Sequence, residues 1–196
     1  MILNNIIHNQ HSYINIFIRG FPIYLPIIFI TLYFNTKVKY YLNISFGVFI
    51  IGLLIPIIKN IFIKPLNNIL YSYTNLNNYS IPIIGTLSRP IGAKNANFFY
   101  YGENNYSYSM GMPSGHSMSA AFISTYTYLY LINKYNYDKT KKNKLYNFLI
   151  LFTLYTMYSR VYIFKVHTIQ QTIIGAYLGY LLGIYYYKLI EKFNEN

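Results

Sequence analysis

An all-α bundle of about five membrane-spanning helices is the fold class this sequence predicts, and three observations predict it. Hydrophobic residues make up 54% of the 196-residue chain and charged residues only 10%, far below the roughly 25% charged content of soluble domains. The apolar residues come in runs close to the ~20 that an α-helix needs to cross the hydrocarbon core. The net charge of +12 is carried by basic residues lying between long apolar runs. They form no single basic face or tail of the kind that grips nucleic acid, so the expected anionic partner is lipid phosphate and not a polynucleotide.

The spans follow in order. The first, 16–34, "IFIRGFPIYLPIIFITLYF", carries Arg19 near enough to one end to snorkel, with Pro22 and Pro26 placed to bend it, and is the weakest of the five. The second, 40–58, "YYLNISFGVFIIGLLIPII", has no charge. The third runs 114–133, the fourth about 145–164 and the fifth about 167–187. Between the second and third lies a polar stretch, 59–113, that holds "SRPIGAKN" at 88–95; a connection of that length in a compact domain is usually either functional or disordered. The whole chain, 1–196, reads as one membrane-embedded domain with its core at 40–187. The first residues lack a basic n-region and an A-x-A site, so no removable signal peptide is expected.

Alternating the spans sorts the basic residues between two membrane faces. Lys37, Lys39, Lys134, Lys139, Lys141, Lys142, Lys144, Lys188 and Lys192 fall on one side; Arg19, Lys59, Lys64, Arg89, Lys94, Arg160 and Lys165 fall on the other. The loop 133–144 is the densest cluster, so the positive-inside rule makes its side cytoplasmic and the opposite side lumenal or exoplasmic.

That second side collects the chemistry. Lys59 ends span two, Arg89 lies in the polar stretch, His116 opens span three, Arg160 nears the end of span four and His167 opens span five. Lys and Arg at span ends are ordinarily snorkelling anchors, but two histidines facing two arginines are not explained that way. In "MPSGH", 112–116, Pro113 precedes a first turn, Ser114 is placed to cap it, and Gly115 lets a ligand approach the backbone. Free N–H groups and the positive helix end can then hold an anion. His116 beside that anion can give a proton to a departing oxygen, because its ordinary pKa of about 6.5 keeps both forms available near neutrality. A helix cap with an incidental histidine is the bland alternative.

In span five His167, Gln171, Gly175, Gly179 and Gly183 recur every fourth residue and form one slowly winding ridge. Small-xxx-small spacing marks a face packed tightly on another membrane helix, so His167 should point into the bundle. Gln171, one turn on, can accept from His167 Nδ1–H and leave Nε2 free to attack.

With these residues in place, the chain resembles the type 2 phosphatidic acid phosphatases, the superfamily that includes the vanadium haloperoxidases. Its signature is Lys-x6-Arg-Pro, then Pro-Ser-Gly-His, then Ser-Arg-x5-His-x3-Asp. The matching segments are "RP" at 89–90, "PSGH" at 113–116 and "SRVYIFKVHTIQQ" at 159–171. Three positions depart from it. Pro82 stands where the lysine belongs, so Lys59, with Lys64 as its rival, is expected to supply that charge. One extra residue separates Arg160 from His167. Gln171 replaces the closing Asp, and "HTIQQ" resembles the pattern of the dolichyl diphosphatase branch.

The resemblance implies a metal-independent membrane phosphatase acting on lipid phosphate or diphosphate monoesters, either a polyprenyl or dolichyl diphosphate or phosphatidic acid. It implies His167 as the nucleophile that forms a phosphohistidine, His116 as the leaving-group acid, and Arg89, Arg160, Ser114, the Gly115 backbone and Lys59 as the phosphate grip, with Gln171 orienting His167. No cofactor or metal is expected: the only carboxylates are Glu103, Asp138, Glu191 and Glu195, and only Glu103 shares the histidines' side. Without cysteine, thiolate sites and disulfides are excluded as well. The alternative is a membrane protein that keeps the fold as a structural, lipid-binding or lipid-moving element, suggested by the displaced lysine and by Gln171.

Overall fold

The computed structural model describes residues 13–74, 80–94 and 109–195. Glu103 and the N-terminal 1–12 lie outside the described residues. Helix α1 (Tyr13–Thr36) closes on Lys37, whose φ of 58° is left-handed and whose N–H caps Tyr33 O at 2.7 Å. So short a turn forces α2 (Lys39–Ile57) to run back beside α1.

The second span does not stop at residue 58, as hydropathy predicts. The chain continues through a π-helical turn, Ile58–Ile63, into α3 (Lys64–Thr74), giving one apolar helical rod from Lys39 to Thr74. Lys and Asn dilute the average hydropathy of 59–74, but Ile, Leu and Phe recur between them at helical spacing, so an amphipathic helix forms where a loop is expected. The 36-residue rod exceeds the length needed to cross the hydrocarbon, and its far end projects beyond it.

A two-stranded hairpin follows, β1 (Ser80–Ile81) against β2 (Gly85–Thr86), with Pro82 exposed in its turn. Then come α4 (Gly115–Lys134), α5 (Lys139–Tyr158) with a second π turn at Ser159–Ile163, and α6 (Ile169–Glu195).

The rods Tyr13–Thr36 and Lys39–Thr74, and Ile169–Phe193 within α6, are long and apolar enough to cross a membrane. The first has a mean hydropathy of 1.8 against 1.3 for the last, so it is not the weakest of the set. Helices α4 and α5 fall outside this group, although at 20 residues each they are long enough to cross. Their positions explain their polarity. The first half of α4 is the buried centre of the bundle, so small and hydroxylic residues serve it better than Leu or Ile. Met118, Phe122 and Tyr126 of α4 pack with Ile44, Val48 and Ile51 of α2 and Tyr186 of α6. Ser124 Oγ reaches α5 at Leu149 O (3.0 Å), and Tyr186 O–H reaches α2 at Asn43 O (2.9 Å). In lipid such interhelical bonds contribute about 0.6 kcal/mol each. The outer faces are apolar: Phe49 of α2 is 59% exposed and Phe148 of α5 is 68% exposed, as acyl chains require.

The glycine ridge of α6 packs as its spacing predicts. A Cβ on Gly175 would meet Ser114 O, and one on Gly179 would overlap Met118 O, so α6 lies against the backbone of α4. His167 itself precedes the helix, in the connection between the second π turn and Ile169.

Candidate active site

Six of the eight sequence-predicted residues converge, while Ser114 and Gln171 are buried behind them and do not line the cavity. Lys59, Arg89, Gly115, His116, Arg160 and His167 all line one cavity of about 450 Å³, and no Asp or Glu lines it among the described residues. Each side chain arrives by a different route. Lys59 comes from the first π turn, and its Nζ donates to Met110 O at 2.7 Å. Arg89 follows the hairpin, with Nε donating to Ser109 Oγ (3.0 Å) and Nη1 to Val166 O (3.1 Å). Burial pushes its guanidinium down to about 10. Arg160, 1% exposed, comes from the second π turn, with its guanidinium 5.4 Å from the Phe164 ring centroid.

That second π turn has a structural consequence. A π turn fits one more residue per turn than an α turn does, so the extra residue between Arg160 and His167 is accommodated in Ser159–Ile163 and the connection after it. Lys165 takes a left-handed φ of 53°, and the N–H groups of Val166 (3.0 Å) and His167 (3.3 Å) both donate to Arg160 O. The backbone of Arg160 therefore anchors the residue that follows it into the cavity.

His167 is 3% exposed, with Nδ1 3.0 Å from Gln171 Oε1. Which amide atom faces the ring is fixed by what lies behind it. Gln171 has two carbonyl acceptors on its far side, Thr86 O at 2.8 Å and Ser88 O at 2.7 Å, and only an NH₂ group can satisfy both. Oε1 therefore faces His167 and also accepts from Thr168 N–H at 3.2 Å. Nδ1 must carry the proton, and Nε2 keeps its lone pair. Gly111 makes room for the amide, since a Cβ there would run into it.

His116 sits in the first turn of α4, and its Nε2 donates to Arg19 O at 2.9 Å. Phe21 meets the ring edge-on, with centroids 5.9 Å apart at 83°. Arg19, expected only as a snorkelling anchor, thus positions His116 through its backbone, and its charge lies within electrostatic reach of Arg160. Both histidines feel Lys59, Arg89 and Arg160.

Ser114 occupies the N-cap position of α4, but its side chain makes no capping hydrogen bond. It is fully buried; its Oγ accepts from Ser117 Oγ at 3.1 Å and its N–H donates to Gln171 O at 3.0 Å. Lys64 reaches the same cavity from its exposed rim. Asn60, Ser109 and Ser119 also line the cavity and were not singled out by sequence. Only Ser119 carried a usable signal, since it lies one turn beyond Gly115 on the same helix face.

Such a site, cationic walls around two imidazoles at the end of a membrane bundle, defines a class of anion-handling membrane protein, and comparison with known proteins gives the family. The PAP2 superfamily model matches residues 69–195, and the chain belongs to that superfamily. A solved structure similar to this one is the transmembrane PAP2-type phosphatidylglycerolphosphate phosphatase from Bacillus subtilis. The match has a TM-score of 0.52 and 21% identity, and it covers 97% of this chain and 76% of the other. No curated protein matches the chain. With its apolar rods and this fold, the chain is an integral membrane protein.

Proposed function

We propose that the protein is a lipid phosphatase that removes phosphate from a lipid phosphate or diphosphate monoester through a phosphohistidine, without a metal. The observation that carries this reading is the single cavity in which Lys59, Arg89 and Arg160 surround His116 and His167 with no carboxylate among its described lining. Such a cluster suits an anionic ligand, and a phosphoryl group brings up to two negative charges.

His167 Nε2 attacks phosphorus, and the bond from phosphorus to the lipid oxygen breaks. His116 protonates that oxygen through Nδ1, since its Nε2 is held by Arg19 O. Water then attacks the phosphohistidine, His116 accepts its proton, and inorganic phosphate leaves. Throughout, Lys59, Arg89, Arg160 and the Gly115 N–H hold the equatorial oxygens, which supplies the positioning and charge stabilisation that phosphoryl transfer requires, while the buried Ser114 supports the turn behind them. Gln171 holds the attacking tautomer. The displaced lysine of the family pattern is less of an objection with Lys59 in the same cavity as Arg89. The few carboxylates of the chain favour a route without metal ligands. The site faces the lumenal or exoplasmic side, with the basic loop 133–144 cytoplasmic.

The test is phosphate release by the detergent-purified protein from phosphatidic acid, a polyprenyl diphosphate and phosphatidylglycerolphosphate, with and without a chelator, alongside His167→Ala. Chelator-resistant release that disappears in the variant is expected. No release from any of the three, or release that survives in His167→Ala, refutes the assignment.

A further inference from the structure

The cavity that holds the cationic cluster extends well beyond what a phosphoryl group needs. From Lys59 its lining continues along one face of α2, through Pro56 and Ile55 to Gly52 and Val48, with Pro22 of α1 on the opposite bank. Those α2 positions recur at helical spacing, so a single stripe faces the cavity, and from Lys59 to Val48 it runs about 16 Å along the helix. One end is positively charged and the other has no ionisable group.

The stripe is also hollowed. Gly52 has no side chain, and a Cβ placed there would meet nothing within 4 Å, whereas one at Gly47 on the packed side of α2 would collide with the Phe122 ring. Pro56, one turn on, has no N–H to return to the Gly52 carbonyl, which thins the helix at the same level. Gly52 and Pro56 are both exposed, so the trough opens sideways toward the acyl chains of the bilayer. Glycine in a helix interior is unfavourable, and at Gly52 no helix packs closely enough to require it.

We propose that Gly52 is the floor of a binding track for one alkyl or prenyl chain of the phosphorylated substrate, and that it sets which chains the site accepts. This rests on the phosphatase reading for the headgroup. The occupant is a hydrocarbon chain joined to a phosphate, because the trough is continuous with the cationic end. The phosphate sits among Lys59, Arg89 and Arg160, the chain leaves along α2 past Gly52, and the lipid enters laterally without leaving the membrane.

Two measurements test this. In mixed micelles, Gly52→Leu puts a branched side chain into the trough from a Cβ position that meets nothing within 4 Å; kcat/KM for a long-chain phosphatidic acid is expected to fall about tenfold or more, while turnover of a chainless aryl phosphate stays within about twofold of wild type. Equal losses on both substrates with an unchanged melting temperature, or no loss on either, overturn the proposal. The second measurement does not depend on turnover. In the His167→Ala protein, a phosphatidic acid bearing a mid-chain diazirine is expected to label the α2 peptide around Gly52 more strongly than the matching diacylglycerol probe, and Gly52→Leu is expected to remove the difference. Equal labelling by the two probes means that the trough merely faces bulk lipid and overturns the proposal. If wild type hydrolyses neither lipid nor aryl phosphate, the phosphatase reading fails, and the labelling still decides the track.

Discussion

Gln171 makes two kinds of contact through one amide, and a pair of substitutions separates them. Its Oε1 accepts from His167 Nδ1 and Thr168 N–H, and its Nε2 donates to Thr86 O and Ser88 O. Gln171→Glu keeps the acceptor toward His167 and loses both donors; Gln171→Leu loses all four bonds. The side chain is fully buried, and each partner left without its bond costs about 1–3 kcal/mol. At the lower figure, Glu costs about 2 kcal/mol and Leu about 4 kcal/mol. At about 2–4 °C per kcal/mol for a chain of this size, the melting temperature in detergent should fall by about 4–8 °C and 8–16 °C respectively.

Catalysis should divide differently. With Glu, the imidazole keeps its tautomer and gains a charge that stabilises its cationic form, so kcat should stay within about tenfold of wild type. KM should rise, because Ser88 immediately precedes Arg89 and the segment that presents the guanidinium loses its strap. With Leu, nothing selects the Nδ1–H tautomer, and kcat should fall by about 10²–10⁴-fold. Steady-state phosphate release and thermal melting on the three proteins give the split. If Glu loses as much kcat as Leu, tautomer selection is not what the amide contributes. If Leu melts with wild type, the four bonds contribute little to stability.

Two further outcomes follow from neighbouring geometry. Lys59→Met, which removes a cation bonded to Met110 O inside the cavity, should lower kcat/KM by about 10²-fold or more and Lys64→Met by less than about tenfold, since Lys64 is at the exposed rim; the reverse order would reassign the family's lysine. Gly179→Ala, whose new Cβ would overlap the Met118 carbonyl, should cost about 1–3 kcal/mol and lower the melting temperature by several degrees, because backbone cannot rotate aside as a side chain can.

What the sequence revealed and what it hid divide along a physical line. Apolar run length and the glycine ridge were legible because each depends on helix geometry alone, whose period is fixed; the His167–Gln171 contact forms as the spacing predicts although His167 stands just outside the helix. Three features were hidden, and two of them depend on contacts made only after folding. The helix across 59–74 was hidden because an average over hydropathy cannot distinguish an amphipathic rod from a loop once Lys and Asn interrupt it. By sequence the first span reads as the weakest of the five, yet α4 falls outside the membrane-crossing group, because it is the helix the others enclose. Arg19 looked like an anchor because sequence cannot foresee that its carbonyl would meet a histidine ninety-seven positions away.

Two of the three departures from the family pattern fall at π turns. Lys59 and Arg160, the two cations whose spacing is irregular in sequence, both sit on π turns. Such a turn widens the helix by one residue and rotates everything after it by roughly a quarter turn or more relative to an α-helical continuation. Inserting a residue before His167 in a purely α-helical connection would have turned the histidine away from Arg160; absorbed in a π turn, it leaves both in one cavity. The spacing of a motif can therefore change while the arrangement in space persists, provided the backbone takes up the difference at the residue that needs aiming.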